Sequence, residues 1–239
     1  MAITTTALVT GANKGLGRET VRRLAGMGWR VFLTARDIDR GTAATQELAA
    51  AGLAVEFVPL DVTADESVQA AADIVMNRAG WLDVLVNNAG IGGPMTPPAD
   101  IRAADLWDVF ETNVFGVVRV TNAFLPLLRA AGHPRIVMVS SGLGSIAATT
   151  DPDLVGLVPP ALGYPASKAA LNMITSQYAR ALSDIRVNAV DPGYTATDLN
   201  HQSGFQTVAE GTDAIIRLAG IDSAGPTGGF FDRNGRTPW

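Results

Sequence analysis

The chain has 239 residues, 47% of them hydrophobic and 17% charged, with a net charge of −5 and no cysteine. That composition supports a large buried core and argues against disorder; it offers no basic stripe for nucleic acid and excludes disulfide and thiolate chemistry. No run of about 18 apolar residues is present and the start "MAITTTALVTG" has no charged leader, so the expectation is a cytoplasmic protein without a membrane span.

Short β-branched runs alternate with longer helical patterns. "ALVT" ends a first strand at Thr10, and a helix pattern runs from Gly15 to about Met27. "RVFLT" ends at Thr34, before the helix-forming "RGTAATQELAAAG". "AVEFVPL" ends at Leu60, with a helix from near Asp65. "DVLV" ends at Val86, and a long helix reads from about Ala103 to Ala131, with Pro126 inside it. "RIVMV" ends at Val139, and the next helix carries Tyr164 and Lys168. "IRVNAV" ends at Val190, a helix runs from about Thr207 to Ala219, and "GGFFD" makes a last short strand. This alternation predicts one α/β domain over residues 1–239, a doubly wound parallel sheet with helices on both faces. Ligands of such sheets sit beyond the carboxyl ends of the strands.

After the first strand comes "TGANKGLG", Thr10 to Gly17. Its glycines let backbone approach a pyrophosphate, and the following helix N-terminus aims free N–H groups at it. The bland alternative is a tight turn, and the position after the first strand favours the nucleotide. After the second strand, Arg36 and Arg40 stand where an NAD site favours an acid and a 2′-phosphate favours arginine. Asp37 between them is an alternative ribose ligand. Asp61, after the third strand, can accept the adenine amino group or cap a helix. In "NNAG", Asn87 to Gly90, side-chain amides can tie neighbouring strands together, and Gly90 leaves room for a sugar. Ser140 and Ser141 follow the fifth strand, and strand alternation lets only one face the site. No G-x-S-x-G surrounds them, which argues against a hydrolase nucleophile. Pro192 and Gly193 form a rigid turn, and Thr195 or Thr197 can bond a cofactor amide.

Taken in order, Thr10-Gly11-x3-Gly15-x-Gly17, Asn87-Asn88-Ala89-Gly90, Asn113, Ser141, Tyr164-x3-Lys168 and Pro192-Gly193 resemble the short-chain dehydrogenase/reductases over almost the whole chain. Each motif alone is weak; together and in register they are specific. "TGANKGLG", "LTARDIDRG" and "GGFFDRNGRTPW" are most similar to the carbonyl-reductase-like branch. Animal members of that branch carry a much longer insertion before the tyrosine than "ATTDPDLVGLVPPALG" here.

The resemblance implies an NADPH-dependent oxidoreductase acting on a ketone, aldehyde or quinone, or on the alcohol in reverse. It places the cofactor against Gly11, Asn13, Lys14, Gly15, Leu16, Gly17, Arg36, Arg40, Asp61, Val62, Asn88, Ala89, Gly90, Tyr164, Lys168, Pro192, Gly193, Thr195 and Thr197. It makes Tyr164 the proton donor, Ser141 the holder of the substrate oxygen, Lys168 a ligand of the ribose hydroxyls, and Asn113 the holder of a water linked to Lys168. A free phenol titrates near about 10. A lysine charge at about 4 Å, in an effective dielectric of about 20, contributes roughly 4 kcal/mol, so Lys168 is expected to lower the phenol. Pro165 suits an early helix position that needs no N–H. A lyase or epimerase with the same pair, or a silent nucleotide sensor, are the alternatives; chain length argues against the first and the intact Tyr164–Lys168 pair against the second.

The substrate pocket is expected along Ile91–Asp100, Leu143–Leu162 and Tyr194–Phe205, which are largely apolar. His133 lies in a turn, and His201 lacks companion ligands, so no metal site is expected. Trp81 and Trp107 are expected in the core or at an interface. Family members pair through two long helices, here Ala103–Ala131 and Leu162–Leu182, implying a homodimer or homotetramer.

Overall fold

All four residues of the first strand, β1 (Thr6–Val9), are buried, as are the four of β4 (Val84–Asn87) and the five of β5 (Arg135–Val139). Strands hidden on both faces need helices on both sides. The computed structural model, which describes residues 5–151 and 160–239, has them there. With β2 (Arg30–Ala35), β3 (Val55–Pro59), β6 (Arg186–Val190) and β7 (Phe230–Phe231), the strands form a parallel sheet in the order β3-β2-β1-β4-β5-β6-β7. This is the expected doubly wound sheet, and its strand order reverses between β1 and β4.

The period of two along each strand sorts the core. Leu8, Phe32, Leu85, Ile136 and Met138 point to one face, where they meet α3 (Asp65–Arg78), α5 (Gly116–Arg129) and α7 (Gly163–Ala181) through Val75, Phe124 and Leu171. Val9, Val31, Leu33, Val86 and Val139 point to the other, against α1 (Gly15–Gly26), α2 (Ile38–Ala50) and α9 (Asp213–Ala219) through Leu24, Leu48 and Ile215. Among the described residues no helix is long and apolar enough to cross a membrane.

Three expectations need correction. The helix read over 103–131 is a 3-10 turn (Ala103–Leu106), α4 (Trp107–Phe110), a π turn (Glu111–Phe115) and α5. Hydrophobic periodicity carries no mark of a π turn, which recurs at functional sites; here it holds the buried Asn113. The helix read over 207–219 divides at Thr212 into α8 (Val208–Gly211) and α9. Between β5 and α7 the chain also forms a 3-10 turn (Gly142–Gly144) and α6 (Ile146–Thr149). Of the two places expected for Trp107, core or interface, its 65% exposure at the start of α4 removes the core.

Candidate active site

The switch point gathers the glycine turn and the end of β4. Thr10 Oγ1 accepts from the backbone N–H groups of Asn88 and Ala89, both at 2.9 Å. Asn88 Nδ2 donates to the carbonyls of Thr10 at 2.8 Å and Gly11 at 3.2 Å. Two glycines make this closeness possible. Gly11 has φ +61, and a Cβ there would lie 2.9 Å from Ala89 Cα. A Cβ on Gly17 would lie 2.5 Å from Asn88 Nδ2 and 2.7 Å from the Gly11 carbonyl oxygen. The strand-tying role expected of the Asn87–Gly90 amides thus belongs to Asn88. Asn87 is the last residue of β4, buried, and donates to Thr121 Oγ1. Asn13, Gly15 and Leu16 line the same turn, half-buried, with Lys14 exposed.

Beyond β2, Arg36 is exposed and has no ion-pair or hydrogen-bond partner among the described residues. Asp37 is the N-cap of α2: its Oδ1 accepts from Arg40 N at 3.0 Å and its Oδ2 lies 3.3 Å from Arg40 Nε. Such a cap ties down the carboxylate that was the rival ribose ligand. Asp61 does not cap α3, whose N-cap is Ala64. Its Oδ1 instead accepts from Thr63 N at 3.0 Å and Thr63 Oγ1 at 2.7 Å, a local turn. Val62 is buried against Gly116, where a Cβ would lie 2.9 Å from Val62 Cγ2.

The sequence-predicted reaction residues converge beyond β5. Pro165 falls in the first turn of α7, where N–H groups lack helical partners. One turn on, Lys168 is 4% exposed, and its Nζ donates to the Val139 carbonyl at 2.8 Å. It lies 5.6 Å from the centre of the Tyr164 ring. A Cβ on Gly144 would lie 2.5 Å from the Lys168 backbone, so only a glycine lets this turn press on α7. Ser140 and Ser141 diverge as alternation requires. Ser140 Oγ donates to Asn172 Oδ1 at 2.6 Å, inside the protein. Ser141 Oγ accepts from Leu143 N at 3.2 Å, and its hydroxyl acts on the Tyr164 phenol, favouring the ionised form. Asn113 donates to the Ile91 carbonyl at 2.9 Å and Ser167 Oγ at 3.0 Å, and accepts from Ile91 N at 2.9 Å. Its side chain therefore clamps the loop after β4, leaving one lone pair near Lys168. A Cβ on Gly90 would lie 3.2 Å from Asn113 Oδ1 and 3.6 Å from Lys168 Nζ.

The expected lowering of the phenol is not what this pocket produces. Burial pushes Tyr164 up to about 12, and the nearby Asp191 charge adds to this against the Ser141 hydroxyl. Burial also brings Lys168 down to about 8. The lysine amine donates to a carbonyl and stands 5.6 Å from the ring centre, and burial is the largest influence on both groups. Asp191, directly after β6, was not singled out in the sequence. Its Oδ1 accepts from Gly193 N at 2.9 Å, and a Cβ on Gly142 would lie 2.7 Å from its Oδ2, so the carboxylate sits between the two turns that flank the site. Burial raises its own carboxyl.

Pro192 and Gly193 form the turn after β6, with Gly193 at φ +70. Thr195 is 4% exposed and its hydroxyl donates to the Pro192 carbonyl at 3.0 Å. Thr197 faces the glycine turn, its methyl 3.8 Å from where a Gly15 Cβ would lie. Gln206 returns over Gly193, and its Oε1 is buried with no hydrogen-bond partner among the described residues. Of the expected substrate pocket, residues 152–159 lie outside the described residues. Tyr194 and Phe205, at the ends of its last stretch, form an edge-to-face pair at 5.9 Å. The chain's own residues fit a dinucleotide carrying a 2′-phosphate: glycines where a Cβ would fill the cradle, an unpaired Arg36, and an orphaned polar atom at Gly193.

A family model described as short chain dehydrogenase matches residues 5–207. Short-chain dehydrogenase/reductase 1 of Saponaria officinalis is 36% identical, covering 98% of this chain and 95% of its own. Human carbonyl reductase [NADPH] 1 is 33% identical, covering 98% of each. Among solved structures, NADPH-bound carbonyl reductase from chicken fatty liver superposes with a TM-score of 0.88 at 31% identity, over 99% of both chains. With its motifs on the expected turns and its relatives matched nearly end to end, this chain belongs to the short-chain dehydrogenase/reductase family.

Proposed function

We propose that the protein is an NADPH-dependent carbonyl reductase acting on an uncharged ketone, aldehyde or quinone, with residues 1–239 forming one catalytic domain. The observation that carries the reading is the convergence of Ser141, Tyr164 and Lys168 beside the glycine turn. Bound NADPH supplies the hydride. Tyr164 and Ser141 both offer O–H to the substrate oxygen, which polarises the carbonyl. Tyr164 then gives its proton to that oxygen, leaving an alcohol and a phenolate. Solvent restores the phenol's proton through Lys168 and a water held at Asn113, whose remaining lone pair supports that role. The half-buried Ile91 and the exposed Met95, Leu199 and Phe205 support an uncharged substrate. Exposed Trp107 in α4, Phe115 in the π turn and Met173 in α7 support pairing of copies. The test is loss of NADPH absorbance with a panel of ketones, aldehydes and quinones; no turnover with any of them overturns the reading.

The two serines give a sharper check. Ser141→Ala is expected to lower kcat by about 10²-fold, the effect of one lost transition-state donor. Ser140→Ala is expected to lower kcat only mildly. It should instead cost about 1–3 kcal/mol of stability by leaving buried Asn172 Oδ1 without its donor. Steady-state kinetics paired with denaturant melts measure both, and the reverse ranking in kcat would reassign the serine.

A further inference from the structure

We propose that Asp198 is a cofactor-specificity residue, a resident anion that holds Lys14 and must be displaced by a 2′-phosphate. The inference rests on the reading of Lys14 and Arg40 as ligands of that phosphate.

Segment 194–206 leaves the Pro192–Gly193 turn and closes at its neck, with Ala196 N donating to the Gln206 carbonyl at 2.9 Å and Gln206 N to the Tyr194 carbonyl at 3.1 Å. Inside, Asn200 Nδ2 donates to the Thr195 carbonyl at 2.9 Å, and Gln202 N to the Thr197 carbonyl at 2.9 Å. His201 and Gln202 take left-handed φ values of 54 and 63, an uncommon conformation for non-glycine residues. These bonds fix where Asp198 points. Its Oδ2 lies 2.7 Å from Lys14 Nζ, and its Oδ1 accepts from Gln202 Nε2 at 2.9 Å.

Lys14 belongs to the glycine turn, so the ion pair spans from the cofactor cradle to the loop that bears Tyr194 and Phe205. The positive charge of Arg40 also reaches this carboxylate. Asp198 thus stands among cations assigned to the phosphate. The pair is 57% and 58% exposed, so separating it is inexpensive. A phosphate with up to two negative charges outcompetes one carboxylate for Lys14. The displaced carboxylate then remains beside the phosphate as a like charge. NADH brings no phosphate to this point and leaves the pair intact. Asp198 therefore weakens the hold on NADPH alone.

The test measures Kd for NADPH, NADH and 2′,5′-ADP by isothermal titration of the full chain at low salt. Wild type should bind NADPH more tightly than NADH. If it does not, the phosphate reading itself fails and this inference with it. Given that preference, Asp198→Asn is expected to bind NADPH and 2′,5′-ADP about three- to tenfold more tightly. NADH affinity and the cofactor-free Tm should stay unchanged, which separates the role from a structural one. In a Lys14→Ala background the gain from Asp198→Asn should largely vanish, and in wild-type background it should shrink at high salt. Unchanged or weaker NADPH binding by Asp198→Asn, or equal tightening for NADH, overturns the proposal.

Discussion

Tyr164→Phe is expected to lower kcat for carbonyl reduction by about 10²–10⁴-fold, the usual contribution of a positioned proton donor, and to leave the Kd for NADPH within about twofold. The substitution removes only the hydroxyl and keeps the ring under Lys168. Lys168→Ala should harm binding and turnover together, because the ribose contact that the family resemblance assigns to it would go with the charge. The acidity of the phenol sets the pH dependence. Raised to about 12, it is protonated at neutral pH and ready to donate. Reduction should therefore stay flat through neutrality. Alcohol oxidation needs the phenolate, whose fraction rises about tenfold per pH unit below the phenol's pKa. The oxidative rate should climb with pH, and Tyr164→Phe should abolish the climb. Retention of more than about half of the wild-type kcat by Tyr164→Phe would remove Tyr164 from the proton-transfer role.

Much of this site is legible in the sequence because the sheet places chemistry after strands. Each strand end read from β-branched runs lies within a residue or two of its position, and so Gly11, Arg36, Asn88 and Ser141 fall where they were expected. Alternation alone says that only one of Ser140 and Ser141 faces the site, and the family resemblance picks Ser141. What escaped depends on contacts far apart in the chain. The π turn at Asn113 is a backbone event with no periodic signature. The acidities of Tyr164 and Lys168 depend on how deeply α7 presses against the turn at Gly144, which spacing along one helix does not reveal. Asp191 was within reach, since it directly follows β6 and the same rule points to it. Asp198 and Thr195 were not, because their partners, Lys14 and the Pro192 carbonyl, are settled by the path of one loop.

That loop sharpens the expectation about cofactor choice. The enzyme should prefer NADPH over NADH by about 10²–10³-fold in kcat/KM, equivalent to about 3–4 kcal/mol. Arg36 carries the largest share. Arg40 already faces Asp37, and Lys14 faces Asp198, whereas Arg36 is exposed at the end of β2 without a partner among the described residues. Its guanidinium can meet a phosphate with paired hydrogen bonds, each contributing roughly 1.5–3 kcal/mol before solvent screening. The counter-argument was Asp37 as a ribose ligand. Its carboxylate caps α2 and pairs with Arg40, so taking a ribose hydroxyl would cost the helix its cap, about 1 kcal/mol. Arg36→Ala should accordingly weaken NADPH and leave NADH nearly unchanged, and added salt should narrow the preference because these charges are exposed. Rates with both cofactors across a salt series measure this directly. Equal kcat/KM values, or faster use of NADH, would mean that Asp37 leaves its cap to hold the ribose and that Arg36 is an ordinary surface residue.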